Sequence, residues 1–255
     1  MLYIDKYAYC SPLTNTHPLE KFCFAVINMV FCLASPSLTV PLLILLLTAG
    51  ILILKGGIPL AFYLKLLLLP FSFLIIGTAT VAITLIQNSG SALWAITLFG
   101  ATLGVTAQSL ETAIGLFFKS LGAVSCLYFL SLTTPLPEII SVLRSLKVPS
   151  LFLELMSLIY RYIFVLLETA DQIYTSQKAR LGYSTLRGGY RSLGHLVSNL
   201  FISSYRRSLD LYTALEARCY DGELKVLQPQ FQFSKKNLAG MAMVELFLLG
   251  LLFFI

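Results

Sequence analysis

Residues 38–54 read LTVPLLILLLTAGILIL, without a charge among them. They are followed by Lys55-Gly56-Gly57-Ile58-Pro59, whose glycines and proline mark a turn. Beyond it, LAFYLKLLLLPFSFLIIGTATVAITLIQ at 60–87 carries one charge, Lys65, near its start. About 20 apolar residues suffice to cross a bilayer as a helix, so this stretch reads as two spans joined by a tight turn. Upstream, Pro18 to Ser35 forms a further span with Lys21 snorkelling at one end, and Pro36 breaks it. Downstream, residues 88–108 hold Gly90, Gly100 and Gly104 between β-branched and aromatic residues, and read as a loop with extended pieces or a re-entrant segment. Leu110–Thr133 and Leu238–Ile255 complete five spans.

Composition agrees with this pattern. Of 255 residues 57% are hydrophobic and only 12% charged, where a soluble domain carries about a quarter; the mean hydropathy is +0.83. Too few polar side chains exist to cover a water-facing surface, and disorder is excluded by the same hydrophobicity. The fold class is therefore all-α: a polytopic membrane protein with about five transmembrane helices and a cytoplasmic helical domain. Cys10, Cys23, Cys32, Cys126 and Cys219 include no CxxC, and read as apolar fillers rather than disulfides or zinc ligands. The polar N-terminal stretch does not read as a cleaved signal peptide.

Charge sets the orientation. Eighteen Lys and Arg stand against twelve Asp and Glu. Lys6, Lys21, Lys55 and the basic residues of 135–237 all fall on one side of a five-span topology, and the opposite loops contain none, so the positive-inside rule puts the N-terminus in the cytoplasm. The apolar stretch 150–173 is excluded as a sixth span because Glu154, Arg161 and Glu168, seven residues apart, share one helix face. The domains are then 1–134 (four spans), 135–237 (cytoplasmic coupling-helix domain) and 238–255 (C-terminal span). Within 135–237, a short helix from Glu138 to Leu146 precedes a long one from Ser150 to about Leu181. Gly182, Gly188 and Gly189 mark a loop. A third helix, about Ser192 to Cys219, carries the stripe Val197, Phe201, Tyr205, Leu209 and Tyr212, with Arg206 and Asp210 placed to pair at i,i+4.

Two short patterns repeat. Lys178-Ala179-Arg180-Leu181-Gly182-Tyr183 and Glu216-Ala217-Arg218-Cys219-Tyr220-Asp221-Gly222 each set a small residue and an arginine in a helix's last turn, followed by tyrosine and glycine. An arginine there is favourable for the helix dipole alone. The other reading is a docking end, where alanine permits close approach and arginine makes forked contacts. Two copies then match two similar pockets, as on a dimeric partner.

At these residues the chain resembles a known family, the energy-coupling T component (EcfT/CbiQ) of ECF-type ABC transporters, in its cobalt-uptake CbiQ group. Ile4-Asp5-Lys6-Tyr7-Ala8-Tyr9 and His17-Pro18-Leu19-Glu20-Lys21 resemble its N-terminal signature. Leu132-Thr133-Thr134-Pro135 with Pro137-Glu138 resembles its entry to the cytoplasmic domain, and Tyr160-Arg161-Tyr162 also fits. The two Ala-Arg patterns resemble its paired Ala-Arg-Gly motifs, departing in that Leu181 separates Arg180 from Gly182 and Cys219 stands where the second glycine would be. The resemblance implies a non-catalytic subunit in a prokaryotic cell membrane. It implies docking through Ala179, Arg180, Gly182, Glu216, Ala217 and Arg218 to two ATP-binding ABC ATPase subunits (CbiO/EcfA type). It further implies a substrate-capturing membrane subunit (CbiM type) that holds the metal, and a small accessory subunit (CbiN type) as a further candidate partner. Cobalt and nickel systems share the pattern.

The residues themselves weigh against rivals. No GxxxxGK[ST] is present, so the chain lacks a loop to bind ATP, and no cofactor is implied. A stand-alone metal-ion channel or secondary carrier, the alternative, needs ligands or a proton relay at membrane depth. His17 and His195 lie far apart in sequence. Of the intramembrane charges, Lys65 snorkels, and Lys119 and Glu245 are candidates for a structural pair, with Glu111 at an edge. No HExxH, Ser-His or paired-acid set marks an enzyme. The basic excess is interspersed with acids and needs no nucleic acid.

Overall fold

The computed structural model describes residues 3–86, 92–98, 101–221 and 235–254. The chain packs as two units, one of residues 2–139 and 230–255, the other of 140–229.

The first unit gathers around one long helix. A short helix α1 (Tyr3–Cys10) and a 3₁₀ turn (Pro12–Asn15) lead to α2 (Pro18–Ala34). His17 caps α2: its Nδ1 accepts from the Leu19 amide at 3.2 Å, with Pro18 pre-setting the first helical φ. α3 (Thr39–Leu54) and α4 (Leu60–Ala82) follow the expected spans, hinged at Gly57 with φ +67°. α4 ends before 87, where the chain turns extended: β1 (Thr84–Ile86), β2 (Ala92–Leu98) and β3 (Ala101–Thr106) form a small antiparallel sheet in the order β1-β3-β2. The expected loop with extended pieces is thus a sheet where it is described; residues 87–91, 99 and 100 lie outside the described residues. α5 (Ala107–Thr133) then runs through the middle of the unit, packing on α1, α2, α3 and α4. A capping box between Thr106 and Ser109 starts it. α9 (Lys235–Phe254) lies against α2 and α3.

Close packing depends on small and polar residues, as in membrane bundles generally. A β-carbon on Gly122 of α5 would stand 2.6 Å from Cys32 Sγ and 3.1 Å from the Pro41 carbonyl, so glycine admits both α2 and α3 there. One turn on, the buried Ser125 hydroxyl meets Thr48 of α3 and, at 2.7 Å, Tyr63 of α4. Phe24, Leu52, Tyr63, Phe129 and Leu132 form one apolar cluster, and Cys32, Val40, Ile44, Cys126 and Leu248 another. The cysteines at 32 and 126 are buried fillers as expected, whereas Cys23 is half-buried and Cys10 and Cys219, at helix ends, are exposed and fill no core. Outward, α4 exposes Leu64, Leu68, Leu69, Phe73 and Ile76, an apolar exterior that suits lipid and not water.

In the second unit α6 (Leu136–Ser145), which begins in the first, leads to α7 (Ser150–Ala179) and α8 (Leu186–Glu216). α8 begins six residues before its expected start. Gly188 and Gly189, expected in the loop, lie in its first turn. Thr185 decides this by accepting from the Gly188 amide at 3.1 Å, while a β-carbon on Gly188 would sit 2.8 Å from the Thr185 hydroxyl. By length and composition alone α4, α5 and α7 are able to cross a membrane, with α3 and 238–251 as shorter apolar helices.

Candidate docking site

α7 and α8 form an antiparallel hairpin, fixed by side chains at three levels. Near the start of α7 the Tyr220 hydroxyl donates to Glu154 at 2.7 Å. Midway, Arg207 Nη1 donates to Thr169 at 2.9 Å. At the turn Gln177 Nε2 donates to the Ser192 carbonyl at 3.0 Å, and the Ser192 hydroxyl donates back to the Gly182 carbonyl at 2.8 Å. Tyr183 completes the clasp, donating to Gln177 Oε1 at 2.7 Å and packing its ring on Tyr174. These contacts correct two expectations. Arg206 and Asp210 form no ion pair; the neighbouring Arg207 reaches across to α7 instead. Of the three α7 charges expected to share one face of an amphipathic helix, Glu154 is buried, while Arg161 and Glu168 are exposed.

The two Ala-Arg patterns close their helices identically. At the first, the Leu181 amide donates to Lys178 and the Gly182 amide reaches back five residues to Gln177 at 2.9 Å. At the second, the Cys219 amide donates to Glu216 and the Tyr220 amide reaches back to Leu215 at 3.1 Å. This is the Schellman arrangement, which turns the residue after the arginine into the left-handed region. Leu181 and Cys219 both have φ 57°. The two positions where this chain lacks the glycine that the resemblance implies thus fall on the residue that most favours glycine, and each side chain carries a backbone cost of about 1–2 kcal/mol. Leu181 is 75% exposed, and Ala179, Arg180, Glu216, Ala217, Arg218 and Cys219 are exposed as well. Glu216 is held by a hydrogen bond with Tyr212, which raises the Tyr212 pKa. Gly182 cannot be replaced cheaply: its β-carbon would meet Ser192 Oγ at 2.7 Å and the Gln177 carbonyl at 3.0 Å.

Because the helices are antiparallel, the two ends point opposite ways. The first lies beside Ser192 and the second beside Glu154, so about 35 Å of helix separates them. α8 between them has no buried residue, and Val197, Phe201, Tyr205, Leu209 and Tyr212 of its apolar stripe are all more than half exposed.

The first unit holds a charged site that the sequence reading missed. Lys21, expected to snorkel, has a side chain only 5% exposed. Its Nζ donates to the Leu13 carbonyl at 3.3 Å, the Thr133 carbonyl at 3.0 Å and Glu138 Oε2 at 3.2 Å. The two segments that carried the family resemblance, 17–21 and 132–138, therefore meet at one ammonium group. Burial pushes the Glu138 carboxyl above its usual range while the lysine opposes this. Lys119 and Glu245 do not pair; Lys21–Glu138 is the ion pair among the described residues. His195 is exposed and His17 is the cap of α2. Among the described residues no three His, Cys, Asp or Glu side chains gather as metal ligands.

The sequence profile of the CbiQ family, described as cobalt transport protein, matches residues 11–229. A protein of Methanocorpusculum labreanum named as a fused cobalt transport protein, CbiMQ, is 34% identical over 86% of this chain and 36% of its own. The cobalt transport protein CbiQ of Salmonella typhimurium is 29% identical over 86% of this chain and 97% of its own. The energy-coupling factor transporter transmembrane protein EcfT of Ruminiclostridium cellulolyticum is 29% identical over 88% and 86% respectively.

Proposed function

The chain belongs to the CbiQ family of cobalt transport proteins, and we propose that it is the energy-coupling T subunit of an ECF-type ABC transporter for cobalt. Its two arginine-bearing helix ends take one ATPase subunit each. The observation that carries this reading is the repetition of one end geometry at both extremes of a single hairpin. A helix-dipole role needs neither the exposure of both arginines nor a matched left-handed turn. Two equal, separated, exposed ends suit a partner with two equal pockets. The guanidinium groups of Arg180 and Arg218 make no hydrogen bond or ion pair among the described residues, which leaves them free for carboxylates or carbonyls of a partner.

The exposed stripe of α8 faces the substrate-capturing membrane subunit, and that subunit binds the metal. The fused name of the Methanocorpusculum relative supports a partner of the M type. The hairpin lies on the cytoplasmic side of a prokaryotic cell membrane. α7 is apolar enough to span, but Thr169 at mid-helix bonds Arg207, and Arg206 and Asp210 lie alongside. A crossing α7 drags these charges to membrane depth at high cost.

Two experiments test the reading. Arg180→Ala and Arg218→Ala each weaken ATPase attachment by about 2–5 kcal/mol, and the double variant loses transport; co-purification of the double variant with normal ATPase content and activity would refute it. Single cysteines at 144 and 191, in a cysteine-free background, react with an impermeant reagent only from the cytoplasm. Labelling from opposite sides means that α7 crosses.

A further inference from the structure

We propose that Lys21 and Glu138 are positioning residues that form a rigid joint between the membrane helices and α6, and that breaking this joint uncouples ATP hydrolysis from transport. The inference rests on the T-subunit reading. A lysine is almost never buried unless paired, and this one is surrounded by three acceptors from three separate places. They are the turn before α2, the last turn of α5 and the first turn of α6. Three donors meet three acceptors, so the ammonium group is saturated and fixes all three elements at once. The Thr133 carbonyl is one of the orphan acceptors at the end of α5, where a cation is also favoured by the helix dipole.

The position gives the pair its role. α6 begins among the membrane helices and continues into the hairpin unit, so displacement of the hairpin reaches the membrane helices along it. Pro135 and Pro137 fix φ on both sides of Leu136, which stiffens the chain where α5 passes into α6. A flexible contact at this point dissipates the stroke; a saturated buried ion pair transmits it. Stability alone does not account for such a pair, because a buried ion pair is often no more stabilising than well-packed apolar residues of similar volume.

The test uses the full chain assembled with an ATPase pair and an M-type subunit in proteoliposomes, comparing wild type with Lys21→Met, Glu138→Gln and the double variant Lys21→Met/Glu138→Leu. ATPase content, ATP hydrolysis and uptake of radioactive cobalt are measured on each. The expected result is that the double variant keeps its ATPases and at least half the hydrolysis, while cobalt taken up per ATP falls at least tenfold. Unchanged uptake per ATP in any assembled variant overturns the joint. So does failure of all three variants to assemble, which assigns the pair to folding alone. A wild-type chain that retains no ATPase overturns the T-subunit reading, and the joint falls with it.

Discussion

α5 and α8 are long helices of the same chain, and they are finished to different degrees. α5 buries Leu121, Gly122, Ser125, Cys126, Phe129 and Leu132 against its neighbours, and its hydroxyl meets partners inside the unit. α8 buries nothing and carries its aromatic stripe in the open. Both show apolar periodicity. What separates them is whether the chain itself supplies the covering surface. The membrane unit has a packed interior around α5, whereas the hairpin is held at three points and leaves its faces and ends exposed.

Glycine substitutions break this comparison most sharply. Gly122→Leu drives its side chain into Cys32 and the Pro41 backbone, and is expected to cost about 3 kcal/mol or more, read as loss of monodisperse protein in detergent. A β-carbon at Gly194 in α8 meets nothing within 4 Å, so Gly194→Leu is expected to cost nothing and to gain up to about 0.8 kcal/mol of helix propensity; equal damage at both positions contradicts the contrast.

Smaller effects sharpen it. Ser125→Ala removes two hydroxyl partners from the interior and is expected to destabilise by about 1 kcal/mol. A double-mutant cycle with Thr48→Val then shows coupling. Phe201→Ser, at a site 71% exposed, leaves the isolated chain's melting unchanged but weakens assembly with the capturing subunit; a large drop in melting means that α8 is covered within the chain. The smallest effect is a gain. Leu181→Gly and Cys219→Gly relieve the positive φ at each helix end, and after the entropy of the added glycine each stabilises by about 0.5 kcal/mol, seen as a small rise in melting with ATPase binding kept.

The helices of the membrane unit were legible because a lipid-facing helix must be largely apolar, and α3, α4 and α5 are, with only Lys65, Glu111 and Lys119 charged among them. Other features depend on contacts between residues distant in sequence. Lys21 sits at the expected membrane edge, but its carboxylate partner is 117 positions away, so snorkelling was the natural reading of a lone lysine. The Arg206–Asp210 spacing was right for an ion pair, yet Arg207 found Thr169, which no periodicity in α8 announces. Gly188 and Gly189 suggested a loop until Thr185 capped them into α8. The repeated Ala-Arg pattern was visible. That both copies place a non-glycine residue at φ 57° was not, because the turn is set by backbone bonds to Gln177 and Leu215.

The docking claim is tested most directly by a photo-crosslinking amino acid placed at 181 in one variant and at 219 in another, each in the assembled transporter. Both side chains leave the helix end beside an arginine and point into the open. Each position is expected to crosslink to an ATPase subunit, and a chain carrying both probes to capture two ATPase copies. Crosslinks from either position to the capturing subunit or to lipid alone, with the ATPases unlabelled, would contradict the account.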